Sequence, residues 1–142
     1  MTFELLTPEG IKFHQEVYEV ILPTAQGQIA VLPYHVPLVS LATPGVISIR
    51  HTQNEPDAQL EHVATSGGLI EINGQQVRLL ADTAERADDI DEMRAQEALE
   101  RARELQKTAA DRVSLADATA LIERNLARLK VTELRRRRHH SS

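Results

Sequence analysis

Short runs of alternating apolar and polar residues fill the first 86 residues, and residues that favour turns separate the runs. In the run at 17–22, Tyr18, Val20 and Leu22 fall on one side of an extended chain, as a β-strand requires. Similar runs lie at 3–7, 28–32, 38–41, 46–50, 60–65, 69–72 and 77–81. Turn signals such as Pro44-Gly45 and Asn73-Gly74 recur about every 8–12 residues. This pattern predicts an all-β sandwich or flattened barrel over residues 1–86.

The spacing of apolar residues changes to three and four beyond residue 87, as on one face of an α-helix. One stripe consists of Ile90, Met93, Ala98, Leu99, Ala102 and Leu105, and a second of Leu115, Ala118, Ile122, Leu126 and Leu129. Ser114 and Asp117 form a capping-box pattern before the second stripe. We therefore predict helices over about 89–110 and 114–133, packed as an antiparallel hairpin in a domain of residues 87–134. Its Ala-rich stripes bury little area, so the hairpin is expected to be marginally stable and able to move.

Composition supports this division. All six Gly and all six Pro lie in the first part, and the helical part has none. Residues 135–142 follow the second stripe with four arginines, two histidines and two serines, and we predict a disordered basic tail there. The chain has no Cys, no apolar stretch that could span a bilayer and no N-terminal secretory pattern. These features are typical of a cytoplasmic protein.

The net charge of −5 is unevenly distributed. Residues 1–88 hold 4 basic and 11 acidic residues, a net −7, whereas residues 89–142 hold 12 basic and 10 acidic residues, a net +2. A chain polarised in this way is expected to meet different partners at its two ends. The arginine run lacks interleaved aromatic residues and follows an acidic domain, so we expect no binding to nucleic acid.

Catalytic patterns are weak. Ser66, His35 and Asp82 are the residue types of a hydrolase triad, but no nucleophile elbow surrounds Ser66. A glycine loop of the Gly-x4-Gly-Lys type is absent, so we expect no ATP hydrolysis by this chain. The histidines have no metal-ligand spacing, and we expect neither a catalytic site nor a metal site. His35, between two prolines, is interpreted as a loop-tip residue.

Binding of a nucleotide without hydrolysis fits the arginine spacing better. Arg94 and Arg101 lie seven residues apart on the first predicted helix, and Arg124 and Arg128 lie four apart on the second. A folded hairpin could bring these four guanidinium groups to one surface, where they would repel one another unless a polyanion such as a triphosphate lay between them. Apolar contacts to a purine could come from Ile90 and Ala95, and hydrogen-bond acceptors for its amine from Asp91 and Glu85. Alternatively, Asp91 caps the helix, and Arg94 and Arg101 pair with Glu97, Glu100 or Glu104.

Several segments together resemble the epsilon subunit of bacterial F-type ATP synthase over about residues 3–134. The matching segments are Gly-Gln-Ile-Ala-Val-Leu-Pro-Tyr-His-Val-Pro-Leu at 27–38, Pro44-Gly45, Gly67-Gly68, Leu-Ala-Asp-Thr-Ala-Glu-Arg-Ala at 80–87 and Ile-Asp-Glu-Met-Arg-Ala at 90–95. They occur in the family's order and spacing. The resemblance implies that the stretch Ile90-Asp91-x-x-Arg94-Ala95 is a motif that senses ATP.

The resemblance further implies a non-catalytic rotor subunit, peripheral to the membrane at the cytoplasmic face of the bacterial plasma membrane. In that family the β domain binds the gamma subunit and the ring of c subunits, and a contact to the ring is implied for His35. The helical hairpin folds beside the β domain or extends into the head of alpha and beta subunits and inhibits ATP hydrolysis. A free-standing β-domain and hairpin protein that senses ATP is the alternative, and it predicts a soluble monomer that does not purify with gamma.

Overall fold

The computed structural model describes the backbone of residues 1–141 and the side chains of residues 1–139. Ten strands make up the first part of the chain. They are β1 (Thr2–Thr7), β2 (Gly10–Glu16), β3 (Glu19–Thr24), β4 (Gly27–Val31), β5 (Leu38–Ala42), β6 (Gly45–Arg50), β7 (Glu61–Thr65), β8 (Gly68–Asn73), β9 (Gln76–Ala81) and β10 (Ala84–Arg86). The predicted all-β domain is confirmed, and each predicted run lies on a strand. Sequence reasoning missed β2 and β10, because β2 buries only Phe13 and therefore shows no apolar alternation.

The strands form one strongly folded sheet in the order β10-β7-β6-β3-β5-β8-β9-β1-β2, with β4 paired to β3. Only the pair Thr24 and Ala42 joins β3 to β5, so the sheet bends there into two layers. Between the layers lies a core that consists mainly of aliphatic side chains, among them Leu5, Leu22 and Ile47, which are fully buried. Every buried member of this core precedes residue 87, so the sandwich does not need the helices to complete it.

Gly68 permits a close approach of β8 to β9. A Cβ built on Gly68 would lie 2.0 Å from the carbonyl oxygen of Leu80 and 2.8 Å from the Cα of Ala81. Both neighbouring atoms belong to the paired backbone of β9 and cannot rotate away. This contact holds the chain in place where it passes from Thr65 into β8.

Two helices follow, α1 (Glu92–Thr108) and α2 (Arg112–Ser141). The carboxylate of Asp91 caps α1 by accepting a hydrogen bond from the backbone N–H of Arg94 at 3.1 Å, and a one-turn 3₁₀ helix (Ala87–Asp89) precedes it. The predicted start of the second helix at Ser114 is wrong by two residues. The helix begins at Arg112, and Asp111 caps it, since its carboxylate accepts a hydrogen bond from the backbone N–H of Ser114 at 2.7 Å. This bond lowers the pKa of Asp111.

The prediction of a disordered tail after residue 134 is wrong for residues 135–141, which continue α2. Ion pairs account for this order. Arg135 pairs with Asp88, Arg136 lies 2.9 Å from Glu92, and Arg137 pairs with Glu133 one turn earlier on the same helix. Ser142 lies outside the described residues.

The hairpin lies against one end of the sandwich. α2 packs on β6 and β7, and α1 packs on the outer side of α2. Ala64 of β7 meets Ala127 and Val131 of α2 in a small apolar cluster of its own, separate from the core of the sandwich. Small side chains therefore form most of the apolar contact between the two parts of the chain.

Within the described residues, neither helix has an apolar stretch long enough to cross a membrane.

Candidate functional site

The outer face of one layer carries a row of five aliphatic side chains across five adjacent strands. In the strand register this row consists of Leu41, Leu69, Leu80, Leu6 and Ile11, on β5, β8, β9, β1 and β2. Leu41 is 70% exposed, Ile11 62% and Leu80 38%. Five contiguous aliphatic groups facing water favour a covering partner, because a single exposed leucine is ordinary but a continuous apolar stripe is not. We call it the aliphatic row.

A row of charged side chains borders the aliphatic row, two residues away along β8, β9 and β1 and three residues away along β2, where the register shifts. Glu71, Arg78, Glu4 and His14 occupy successive strands in this row. Arg78 lies 4.0 Å from Glu71 and 3.1 Å from Glu4, and Glu4 lies 3.6 Å from the ring of His14. The arrangement has the apolar centre and polar rim of a protein–protein interface.

Sequence reasoning missed the aliphatic row, because register between strands cannot be seen in single runs. A signal was present in adjacent apolar pairs such as Leu5-Leu6, Leu69-Ile70 and Leu79-Leu80. Successive residues of a strand point to opposite faces. One member of each pair fills the core, and the other must lie outside.

The loop between β4 and β5 projects a second exposed group. Tyr34 is 85% exposed and adopts a positive φ of 67°, and Val36 is 70% exposed. The ring Nδ1 of His35 donates a hydrogen bond to the carbonyl oxygen of Val36 at 2.7 Å, which leaves Nε2 without its proton when the ring is neutral. His35 thus has a turn-forming hydrogen bond and is half-buried between the exposed residues Tyr34 and Val36.

The structure brings three residues of the predicted nucleotide site together. The carboxylate of Glu85 on β10 lies 3.2 Å from Nε of Arg128 and 3.8 Å from a terminal nitrogen of Arg124. A terminal nitrogen of Arg128 donates a hydrogen bond to the side-chain oxygen of Asn125 at 2.9 Å. The two guanidinium groups are therefore already neutralised in part by a protein carboxylate, and a phosphate would compete with Glu85 for them.

Three other predicted site residues have structural roles at the junction. Asp91 caps α1, which confirms the cap interpretation. Ala95 is fully buried, and Ile90 packs against the cluster that contains Val131. None of the three roles requires a ligand.

Arg94 and Arg101 lie with acidic groups of their own segment. The side chain of Arg94 is 82% exposed and 3.7 Å from Asp91. Arg101 lines a shallow groove along α1 together with Glu97, Glu100 and Glu104. Within the described residues the structure therefore assembles Arg124, Arg128 and Glu85 into one group and leaves Arg94 and Arg101 outside it.

A cavity of about 350 Å³ adjoins the group that contains Glu85. Its charged lining includes the cations Lys12 and Arg124 and the carboxylates Glu9, Glu85 and Asp89. Acidic groups outnumber basic ones here, so this conformation does not present a preformed triphosphate site.

Comparison with known proteins identifies the family. The family model described as ATP synthase, Delta/Epsilon chain, beta-sandwich domain matches residues 1–87, and the model described as the long alpha-helix domain of the same chain matches residues 88–133. The ATP synthase epsilon chain of Moorella thermoacetica is 38% identical over 130 residues, which cover 92% of this chain and 94% of the relative. That of Chromobacterium violaceum is 36% identical over 140 residues, covering 99% and 98%.

Two solved structures share the fold. A chain of the Euglena gracilis mitochondrial ATP synthase, solved as an OSCP/F1/c-ring assembly, has a TM-score of 0.74 at 21% identity, covering 92% of this chain and 79% of the other. A chain of the Tetrahymena thermophila mitochondrial ATP synthase, from its central stalk and c ring, has a TM-score of 0.59 at 13% identity, covering 93% and 96%. The chain therefore belongs to the epsilon subunits of ATP synthase, the non-catalytic subunits of the central stalk.

Proposed function

We propose that this subunit couples rotation of the c ring to the catalytic head of a proton-translocating F-type ATP synthase through the gamma subunit. The aliphatic row carries the proposal, because it is an exposed apolar surface that the chain's own helices leave uncovered. Gamma covers the row, and the loop at Tyr34, His35 and Val36 contacts the c ring. Both contacts hold the subunit at the cytoplasmic face of the bacterial plasma membrane, peripherally through the complex.

The aliphatic row can be tested by placing a charge in it. Leu80→Glu should weaken binding to purified gamma by at least about a hundredfold, because burying an unpaired carboxylate at an interface costs several kcal/mol. Gln53→Glu is the matched control, since it places the same carboxylate on an exposed loop between β6 and β7, outside both the aliphatic row and the hairpin. Circular dichroism checks that both variants fold. Equal gamma binding by both variants would contradict the assignment, and a parent chain that stays monomeric beside gamma would favour the free-standing alternative.

We also propose that the hairpin is the inhibitory part. It leaves the sandwich, extends along gamma to the alpha and beta subunits, and blocks ATP hydrolysis there. Its small contact with the sandwich supports this, because Ala64, Ala127 and Val131 form a cluster that buries little apolar area.

Removal of the hairpin tests the inhibitory role. A chain that ends at Asp88 keeps every buried member of the main core, so we expect it to fold, assemble and support ATP synthesis. ATP hydrolysis by the complex should rise relative to the full chain. A truncated chain that assembles but leaves hydrolysis unchanged would exclude the inhibitory role, and one that fails to fold would refute the independence of the sandwich.

ATP is proposed as a regulatory ligand of the folded hairpin and is not hydrolysed. Its phosphates would displace the Glu85 carboxylate from Arg124 and Arg128, and Arg94 and Arg101 would turn inward from their exposed positions. A ligand present at 100 times its dissociation constant would stabilise the folded hairpin by about 2.7 kcal/mol. High ATP would thus keep the hairpin down and relieve inhibition.

Calorimetric titration of the isolated chain tests this ligand. Arg94→Gln and Arg128→Gln should each weaken ATP binding about tenfold, equivalent to about 1.4 kcal/mol. Asp91→Asn should also weaken binding while it retains the helix cap, because Asn caps as well as Asp. Arg103→Gln removes an equal charge from the exposed surface of α1 outside the predicted set. Absence of binding at millimolar ATP, or equal affinities in all four variants, would leave the chain with a mechanical role only.

A further inference from the structure

A second concave surface lies where the last turns of α2 cross β7 and the segment after β10. We call it the basic pocket. It has a volume of about 400 Å³. Its charged and titratable lining consists of Glu61 and His62 from β7, Arg86 from β10, Asp88 from the 3₁₀ helix that follows, and Arg135, Arg138 and His139 from α2.

The carboxylates in the basic pocket already have cationic partners. Glu61 accepts two hydrogen bonds from one terminal nitrogen of Arg86, at 2.8 and 3.1 Å. Asp88 pairs with Arg135. Arg138 has no carboxylate partner among the described side chains, so its guanidinium charge is in excess. An anion in the pocket would meet one uncompensated positive charge before any imidazole is protonated.

His62 supplies a directional donor beside that charge. Its Nδ1 lies 2.9 Å from the hydroxyl of Ser48, which leaves Nε2 as the nitrogen available to the pocket. When the Ser48 hydroxyl donates to Nδ1, the neutral ring carries its proton on Nε2 and can donate it. Burial lowers the pKa of His62, and the positive charges of Arg138 and Lys130 lower it further. The negative charge of Glu61 raises it in part. A bound anion would offset the effect of Arg138.

We propose that the basic pocket binds a phosphate-type oxyanion between His62 and Arg138, and thereby fastens the end of α2 to β7. The guanidinium fork and the imidazole N–H are donors suited to phosphate oxygens. The pocket is distinct from the group around Glu85, because Arg138 lies ten residues beyond Arg128, or about 15 Å along the helix. It also depends on residues beyond 133, where the match to the helical family domain ends.

Phosphate titration of the full chain at constant ionic strength tests the proposal. Inorganic phosphate should shift the NMR signals of His62 and its neighbours in a saturable manner. Arg138→Gln should weaken binding about tenfold, as the loss of one charge-assisted hydrogen bond implies. Arg137→Gln is the matched control, because Arg137 is the adjacent arginine and pairs with Glu133 outside the pocket. Arg128→Gln should also leave binding unchanged, which separates this site from the proposed ATP site.

Titrations with two other anions define the ligand. Glycerol 3-phosphate, a phosphate monoester, should bind more tightly than inorganic phosphate if the natural ligand is a phosphorylated metabolite, and equally if it is free phosphate. Sulfate stays divalent across the range of histidine titration, so its affinity should rise as the pH falls and His62 gains its second N–H. The charged or titratable groups around His62 when it gains this proton are Arg138, Lys130, Glu61, Arg86, Asp88, Arg135 and His139. Non-saturable shifts, or equal weakening in the Arg137 and Arg138 variants, would overturn the proposal.

Discussion

Truncation of Val131 to alanine tests how the hairpin is held against the sandwich. Val131 is fully buried on α2, in the cluster with Ala64 and Ala127. It is the largest of the three buried side chains in that cluster and belongs to the contact between the two parts of the chain rather than to the main core. Val131→Ala should therefore loosen the hairpin and leave the sandwich intact.

The magnitude follows from the two methyl groups removed. Deletion of one buried methyl or methylene group typically costs 0.5–1.5 kcal/mol, so loss of two should weaken docking by about 2 kcal/mol. That change corresponds to a roughly thirtyfold larger population of the undocked hairpin. The partly buried neighbours of this cluster are Val46, Ala87 and Ile90.

Amide hydrogen exchange measures this population directly. Protection of the α2 amides near Val131 should fall roughly thirtyfold, while protection in β8 and β9 stays at the parent value. Val113→Ala is the matched control, since it removes the same two methyl groups from a side chain that is 70% exposed on the same helix. Equal exchange rates for α2 in the two variants would refute the docking role of Val131. A matching loss of protection throughout β8 and β9 would show that the two parts unfold together.

Three further predictions concern other parts of the chain. Gly68→Ala should lower the free energy of unfolding in urea by more than about 3 kcal/mol, because the added Cβ would lie 2.0 Å from the Leu80 oxygen. Gly74→Ala should lower the same free energy by only about 1 kcal/mol, since nothing lies near its Cβ and the cost comes from its φ of +61°. Since the folded state lowers the pKa of His62, the free energy of unfolding should fall as the pH drops below about 6.5, and His62→Gln should reduce this slope. Glu92→Gln should weaken the contact between α1 and α2 by less than about 1 kcal/mol, because its pair with Arg136 is half exposed, and the difference should vanish in about 1 M salt, as hydrogen exchange can measure.

The sandwich could be predicted from sequence because its strands are short and carry strong local signals. Val20 and Leu22 lie on the inner face of β3, as their alternation indicates. The edge strand β2 could not be found in this way, since Phe13 is its only buried residue and pairs with Leu5 from another strand. Alternation of apolar and polar residues indicates that one face of a strand is buried. An edge strand with one buried residue shows almost no alternation.

The helical part shows a different limit. The stripes predicted two helices, and Leu99 and Ala102 of the first stripe are buried. Met93 and Leu105 of the same stripe are 73% and 54% exposed, however, while Ala95, which the stripe leaves out, is buried. Hydrophobicity favoured the larger residues, whereas the close contact of α1 with α2 selects small ones. The order of residues 135–141 was equally hidden, because the partners Asp88 and Glu92 lie more than forty positions earlier in the chain.

The nucleotide site was predicted from residue types, and the structure changes the reasoning behind it. Four arginines on one surface would repel one another without a polyanion only if no carboxylate lay among them. The carboxylate of Glu85 already lies against Arg124 and Arg128, and Asp91 lies against Arg94. Sequence spacing can place cations on a helix face, but it does not reveal a counter-ion supplied by a strand of another domain.

The docked hairpin is held by acidic residues that all come from one short stretch of chain. Glu85 pairs with Arg124 and Arg128 and Asp88 pairs with Arg135, whereas Glu92, at the start of α1, pairs with Arg136 within the hairpin. Alanine-rich packing contributes little apolar burial, so these partly exposed pairs carry a large share of the specificity of docking. The same arginines could pair with carboxylates of another subunit at similar cost, because an ion pair exchanged for an ion pair leaves no charge uncompensated. Under the proposed inhibitory role, release of the hairpin would therefore depend on which acidic surface meets α2.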